Sequence, residues 1–161
     1  GPAYYKRYPE AFRRFDPVCE TPDLAKCERA AVVNAYDNAI LYTDHVLAKT
    51  IDFLKAKAET YDTAMIYVSD HGESLGENGL YLHGVPYSIA PKVQVEVPMT
   101  MWFSPGFARD FGLDTACLRE RAVQPATHDN LFHSVLGLLD VRTSIYDAGL
   151  DLAAKCRAPG R

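Results

Sequence analysis

The sequence predicts an α/β domain, and three observations support this prediction. Apolar residues recur at helical spacing over residues 21–58, two short apolar runs occupy 64–69 and 97–103, and a second amphipathic helix covers 127–139. The order helix, strand, loop, strand, helix is typical of α/β domains, whose functional residues lie at the carboxyl ends of the strands. A length of 161 residues with 48% hydrophobic residues fits one globular domain.

The composition also excludes several classes of protein. Seventeen Lys and Arg against twenty-one Asp and Glu give a net charge of −4, which argues against general binding of nucleic acid, because that function needs a basic face. No apolar run approaches the ~20 residues of a membrane span. The first residues, GPAYYK, lack the features of a signal peptide. We therefore expect a mature product or part of a longer protein.

The first helix is predicted from one apolar stripe with spacings of three, four and seven. Its members are Val33, Tyr36, Ile40, Leu47, Ile51 and Leu54. Thr21 is the expected cap of a short preceding helix, since Pro22 suits a first helical turn. The aromatic and basic residues 1–18, which include three prolines, predict irregular structure with one turn of helix.

The two apolar runs predict buried strands of a mostly parallel sheet. The run 64–69 ends in Asp-His-Gly, and the run 97–103 is closed by Ser-Pro-Gly. Between them, residues 71–96 are predicted to form a long glycine-rich loop, and structureless loops of that length tend to be functional. The late helix, 127–139, is expected to start at a Thr127 cap. Its expected apolar face consists of Leu131, Val135, Leu138 and Leu139.

The four cysteines divide into a close pair and a distant pair. Cys19 and Cys27 lie in a polar segment, where a disulfide would close a nine-residue loop and stabilise the fold by roughly 2.6 kcal/mol. Such a bond would indicate an oxidising compartment. Ordinary free thiols are the alternative. For Cys117 and Cys156, the sequence does not decide between a disulfide and free thiols.

The candidate functional residues lie where the first predicted strand ends. Asp70 and His71 are followed by Gly72, and Glu73, Glu77 and His83 lie in the same loop. A carboxylate and an imidazole that converge on one cation suit zinc, or manganese less well. The alternative is a polar loop with a capping Asp and an exposed His. The combination of acids, histidines and glycines in SDHGESLGENGLYLHG favours the metal site.

This segment also resembles a known family. Residues 69–104, SDHGESLGENGLYLHGVPYSIAPKVQVEVPMTMWFS, resemble the lipid A phosphoethanolamine transferases, which include the mobile colistin-resistance enzymes. The broader class is the sulfatase-like hydrolases of the alkaline phosphatase superfamily. Further similar segments are GPAYYKRYPEAFRRFDPVC, NAYDNAILYTDHVL and THDNLFHSVLGLLDV. The resemblance implies a sulfatase-like α/β/α sandwich, of which residues 1–161 are the C-terminal portion.

The resemblance assigns roles to individual residues. Asp70 and His71 match zinc ligands of the family, so zinc is the implied cofactor. His83 matches a histidine that binds substrate phosphate or a second zinc, and Glu73 matches an acidic residue beside the metal. Cys19 and Cys27 match a family disulfide. The threonine nucleophile and a glutamate ligand of the family fall upstream of Gly1, as does its membrane domain, so we expect the chain alone to be inactive.

The implied activity is the transfer of phosphoethanolamine from phosphatidylethanolamine to a lipid A phosphate through a phosphorylated threonine. That reaction would take place on the periplasmic face of a bacterial inner membrane, and it gives resistance to polymyxin and colistin. Two alternatives stay open. One is a sulfatase or phosphodiesterase of the same superfamily. The other is a catalytically inactive, truncated domain that self-associates through uncovered strand edges and apolar faces.

Overall fold

The computed structural model describes residues 8–158, in which helices and strands alternate as the α/β prediction requires. The helices are α1 (Arg29–Lys57), α2 (Lys92–Val95), α3 (Pro105–Asp110), α4 (Thr115–Arg121) and α5 (Asp129–Leu138). The strands are β1 (Ala64–Val68), β2 (Ser74–Leu75), β3 (Tyr81–Leu82) and β4 (Met99–Phe103). Of the predicted irregular segment 1–18, residues 1–7 lie outside the described range, and the rest contains one 3₁₀ turn at Glu10–Phe12.

The chain divides into two compact units. The first contains the described residues through Phe53 together with Met65–Met101, and the second contains Leu54–Ala64 and the described residues from Trp102 onward. All four residues assigned to the candidate site by sequence fall in the first unit.

Helix α1 confirms the long predicted helix but corrects its start and its apolar stripe. A separate 3₁₀ turn, Leu24–Lys26, precedes the helix; its N-cap is Asp23, whose backbone N–H donates to Thr21 Oγ1 at 3.3 Å. The buried residues of α1 are Ala31, Val32 and Asn38. Ile40, predicted to be buried, is 49% exposed. The other five members of the predicted stripe are half-buried: Val33, Tyr36, Leu47, Ile51 and Leu54.

The core of the first unit forms around the predicted disulfide. Cys19 and Cys27 are bonded at 2.06 Å, which confirms the pairing. Cys19 packs with Ala31 and Val32, and the surrounding half-buried residues are Leu24, Cys27, Leu75 and Tyr81.

Asn38 adds a polar anchor at the same end of α1. Its Oδ1 accepts from the backbone N–H groups of Arg14 and Phe15, at 2.8 and 2.9 Å, and its Nδ2 donates to the Phe15 carbonyl at 2.9 Å. A buried amide is stabilising only when its polar atoms are bonded in this way. The anchor therefore fixes the N-terminal segment on α1.

The glycine-rich segment 71–96 is structured, so its prediction as a structureless loop is wrong. Strands β2 and β3 form an antiparallel hairpin in which Ser74 pairs with Leu82 and Leu75 with Tyr81. The chain reverses through positive φ angles at Gly76, +102°, and Gly79, +74°, a conformation that glycine adopts without a steric penalty. Strands β1 and β4 form a separate two-stranded sheet and are half-buried rather than buried.

The second unit contains two short helices that periodicity did not predict. The buried Ser104 caps α3 by accepting from Phe107 N at 3.1 Å, and Asp114 caps α4 by accepting from Ala116 N and Cys117 N. Cys117 and Cys156 form a second disulfide. Within residues 8–158 no helix has both the length and the apolar character of a membrane span.

Helix α5 starts later than predicted. Its N-cap is His128 rather than Thr127, and its first residue is Asp129. The backbone N–H of Thr127 donates instead to Asn130 Oδ1 at 2.8 Å. Leu138 is buried as expected, but Leu139 is 58% exposed, because the helix ends before it.

Candidate metal centre

The candidate site begins where β1 ends. Ser69 turns the chain by donating its hydroxyl to the carbonyl of His71 at 2.8 Å, and its backbone N–H bonds the Pro98 carbonyl at 3.3 Å. Gly72 follows, and a Cβ there would lie 2.0 Å from the carbonyl oxygen of Val93. Glycine is therefore required at this position because the backbone of α2 approaches so closely.

The structure brings His71, Glu73 and His83 together. One ligand atom from each residue lies within 4.8 Å of the others. The two imidazole rings have their centroids 3.7 Å apart. His83 returns to His71 because it directly follows β3, at a bend formed by Leu82, with φ +63°, and Gly84, with φ +101°.

Hydrogen bonds orient both imidazoles. His71 Nδ1 lies 3.0 Å from the Gly72 carbonyl oxygen, and His83 Nδ1 lies 2.9 Å from Glu73 Oε1. Both oxygens are acceptors, so Nδ1 carries the proton in each ring and the lone pair is on Nε2. This arrangement is typical of metal-binding histidines, whose second nitrogen donates to a carbonyl or carboxylate.

The two carboxylate oxygens of Glu73 differ in their hydrogen bonding. Oε1 accepts from His83, whereas Oε2 is buried and has no hydrogen-bond partner among the described residues. Burial raises the pKa of the neighbouring Tyr36, and the negative charge of Glu73 raises it further. Because a buried, unpaired carboxylate oxygen is costly, Oε2 indicates a position for a cation.

Asp70 stands at the edge of this cluster. Its side chain is 89% exposed, and its Oδ2 lies 3.8 Å from His71 Nε2. Its Oδ1 accepts from the backbone N–H of His71 at 3.0 Å. The structure therefore does not place Asp70 within the group formed by the two histidines and Glu73.

The donor set fits zinc. Two imidazole nitrogens and a carboxylate oxygen are ligands that zinc prefers, and bonds of about 2.0–2.2 Å in a tetrahedron separate ligand atoms by about 3.3–3.6 Å. The three ligand atoms lie within 4.8 Å of one another, and the Asp70 oxygen, at 3.8 Å from His71 Nε2, is near this spacing.

Glu77, also in the predicted loop, has a structural role instead. Its Oε2 accepts from Leu75 N at 2.6 Å, and its Oε1 pairs with Arg29 Nη2 at 2.8 Å. Bonds from the backbone N–H groups of Glu77 and Leu75, and then the Arg29 guanidinium, lower the pKa of Glu77. Glu77 thus ties the hairpin to α1.

Two residues near the cluster were missed as site residues. The sequence pattern assigns Tyr36 only to the apolar stripe of α1, and nothing in the local sequence indicates that it lies close to Glu73. Gln94, buried in α2, also belongs to the surroundings of the site. Its segment, APKVQVEVP, alternates valines with Lys92, Gln94 and Glu96, so the local sequence does not indicate which of these three polar residues is buried.

Comparison with known proteins places the chain in a family. The sulfatase family profile matches residues 1–141. The phosphoethanolamine transferase EptA of Salmonella typhimurium is 46% identical over 158 residues, 98% of this chain and 29% of that protein. The phosphatidylethanolamine transferase Mcr-2 of Escherichia coli is 51% identical over 141 residues, 88% of this chain and 24% of that protein.

Solved structures agree. The soluble domain of lipooligosaccharide phosphoethanolamine transferase A from Neisseria meningitidis is 47% identical with a TM-score of 0.92, and the match covers 99% of this chain and 48% of that domain. The integral membrane form of the same protein gives the same identity and TM-score, with 30% of its chain covered. The chain spans less than a third of the full-length relatives and about half of the soluble domain. It belongs to the sulfatase family.

Proposed function

We propose that this chain is the C-terminal portion of a zinc-dependent transferase that moves phosphoethanolamine from phosphatidylethanolamine to a phosphate of lipid A. The reaction takes place on the periplasmic face of a bacterial inner membrane and gives resistance to polymyxin and colistin. The observation that carries the proposal is the His71–Glu73–His83 cluster, in which the buried Oε2 of Glu73 has no hydrogen-bond partner among residues 8–158. The names of the relatives, phosphoethanolamine and phosphatidylethanolamine transferases, support the substrate class.

His71 Nε2 and Glu73 Oε2, joined by the Asp70 carboxylate, would hold the zinc. Bound zinc neutralises the charge of a phosphate and lowers the pKa of a coordinated hydroxyl. The protein's own contribution is orientation, because the hydrogen bond from His71 to the Gly72 carbonyl fixes the ring with Nε2 directed away from the backbone.

His83 supplies the proton chemistry. Glu73 Oε1 accepts from its Nδ1, and this hydrogen bond orients the ring. A protonated Nε2 can then donate to the oxygen that leaves phosphorus, as a general acid. The half-exposed position of the ring, with a side-chain exposure of 49%, leaves it accessible to a lipid headgroup.

The transfer proceeds in two displacements. The phosphorus–oxygen bond to diacylglycerol breaks as a threonine oxygen bonds to phosphorus, and that threonine lies outside this chain. A lipid A phosphate oxygen then replaces the threonine oxygen. If water replaced the lipid A oxygen in the second displacement, the enzyme would be a hydrolase.

Zinc binding by the chain is the first test. Calorimetric titration is expected to show that the chain binds one zinc. The zinc affinity of His71→Ala and of Asp70→Ala is expected to be more than about tenfold lower, because losing a metal ligand costs more affinity than losing an outer hydrogen-bond partner, which costs 10–100-fold. His133→Ala is the matched control, since His133 lies in the second unit and accepts from Asp147 N. Equal affinity in wild type and the His71 variant contradicts the metal centre.

The second test is the reaction. With fluorescent phosphatidylethanolamine and lipid A, the intact protein that carries this segment is expected to transfer the headgroup, and His83→Ala and Asp70→Ala to abolish transfer. We expect no turnover from the 161-residue chain. Turnover by that chain that is lost in Asp70→Ala contradicts the placement of the nucleophile outside it. Release of phosphoethanolamine without a lipid A product indicates a hydrolase.

A further inference from the structure

The short helix α2 contains a buried amide. Lys92, Val93 and Val95 are exposed, whereas Gln94 is 5% exposed. Its Nε2 donates to the hydroxyl of Ser74 at 2.8 Å, and Ser74 is itself fully buried. Burial of a polar side chain in a four-residue surface helix is unfavourable without such a bond.

The backbone of Gln94 makes a second contact with the same segment. Gly72 N donates to the Gln94 carbonyl at 3.0 Å. The approach is close enough that a Cβ on Gly72 would meet the Val93 carbonyl oxygen at 2.0 Å. Gln94 therefore bonds the residue before Glu73 through its backbone and the residue after Glu73 through its side chain.

The same contact reaches His83 through the hairpin. Ser74 is paired with Leu82 across β2 and β3, and Leu82 directly precedes His83. A shift of Ser74 would move both Glu73, its neighbour along the chain, and His83, the neighbour of its pairing partner. A single buried amide thus fixes two of the three residues of the cluster.

We infer that Gln94 is a positioning residue for the candidate zinc centre: it holds in place Glu73, which would bind the metal, and His83, which is hydrogen-bonded to Glu73. The inference rests on the proposed zinc centre. Gln94 does not touch the metal; it acts through Gly72 and Ser74. Outer hydrogen-bond partners of metal ligands change metal affinity by 10–100-fold, and the expected effect of Gln94 is at the lower end, about tenfold.

The test separates zinc affinity from stability. Gln94→Leu keeps the side-chain volume but leaves the Ser74 hydroxyl unpaired, so both stability and zinc affinity are expected to fall. Adding Ser74→Ala removes the second polar group. Removal of both partners of a hydrogen bond is nearly neutral, whereas removal of one is costly. The double variant is therefore expected to regain thermal stability while zinc affinity, measured by calorimetry, stays about tenfold weaker.

Ser134→Ala is the matched control. Ser134 is fully buried in the second unit and accepts from Leu152 N at 2.9 Å, so its loss is expected to lower stability and leave zinc affinity unchanged. Wild-type affinity in Gln94→Leu, or affinity that recovers with stability in the double variant, overturns the inference. If His71→Ala weakens zinc binding in the same experiment, the metal centre stands without it. If His71→Ala also binds zinc as wild type does, both proposals fail.

Discussion

Two carboxylates, the buried Asp151 in the second unit and the half-buried Glu73 in the first, differ in how their oxygens are used. Asp151, in the second unit, has a fully buried side chain: Oδ1 accepts from Ala153 N at 2.8 Å, and Oδ2 accepts from Tyr146 Oη at 2.7 Å and pairs with Arg157 Nη2 at 3.8 Å. Glu73, in the first unit, uses Oε1 for His83 and leaves Oε2 buried without a protein partner within residues 8–158.

The difference lies in whether the described surroundings compensate the buried oxygen. A buried charge is tolerated when hydrogen bonds and an opposite charge compensate it, and Asp151 meets this condition from its own surroundings. Glu73 does not, and two half-exposed histidines stand beside it. In the proposed metal centre, a cation would supply the compensation that the described residues do not give to Glu73 Oε2.

Both networks also depend on a glycine. A Cβ on Gly137 would lie 2.0 Å from Asp151 Oδ2, and a Cβ on Gly72 would lie 2.0 Å from the Val93 carbonyl oxygen. To accommodate the added Cβ, the Asp151 side chain would move in the second unit, whereas the backbone of α2 would have to move in the first. The same substitution therefore has different consequences in the two places.

The largest expected effect comes from Asp151. Asp151→Ala leaves the Arg157 charge buried and is expected to lower the free energy of unfolding by about 3–5 kcal/mol, without changing zinc affinity. Glu73→Gln removes a charge that the described residues leave uncompensated, so the metal-free chain is expected to be no less stable than wild type, whereas zinc binding is expected to weaken. Urea denaturation followed by circular dichroism, with zinc calorimetry, measures both quantities.

Asp151→Asn serves as the control where the alanine variant does not fold. It keeps one acceptor oxygen for Ala153 N, presents an NH2 donor to the Tyr146 hydroxyl and loses the charge, so its stability is expected between that of wild type and Asp151→Ala. A Glu73→Gln variant as unstable as Asp151→Asn would show that Glu73 is structural, and the contrast between the two carboxylates would disappear.

The two glycine variants sharpen the comparison at an intermediate size of effect. Gly137→Ala and Gly72→Ala are each expected to cost about 1–3 kcal/mol, the range for overpacked sites. Only Gly72→Ala is expected to weaken zinc binding as well, since it displaces the segment that carries His71 and Glu73. Thermal denaturation and zinc titration of both variants check this, and equal zinc affinities in the two would contradict it.

The smallest expected effect concerns pH. Burial and the hydrogen bond to Asp151 raise the pKa of Tyr146 from 10.0 to about 12. The folded state therefore retains the phenol proton where the unfolded state loses it, so this contribution to stability is complete below pH 10 and declines between pH 10 and 12. Tyr146→Phe should show a shallower alkaline decline in urea denaturation, and an identical slope would contradict the assignment.

The sequence by itself determined the elements that local pattern specifies. The periodicity of α1 and α5 and the apolar runs of β1 and β4 identified these elements to within a few residues at most boundaries, because each buries one face or lies between turn residues. Asp70, His71, Glu73 and His83 were singled out by residue type within one segment. The resemblance to the transferase family supported them and the Cys19–Cys27 pair.

Only the tertiary structure decided how distant residues meet. Strands of two residues, β2 and β3, have too short a pattern to predict. Cys117 and Cys156 form a disulfide although they are 39 positions apart in the sequence, and Gln94 and Ser74 are hydrogen-bonded although they are 20 positions apart. That Glu73 joins the histidines while Asp70 stays exposed depends on the hairpin returning His83 to the end of β1. Such contacts form where remote segments pack together, and a window of sequence does not record which remote segment will be its neighbour.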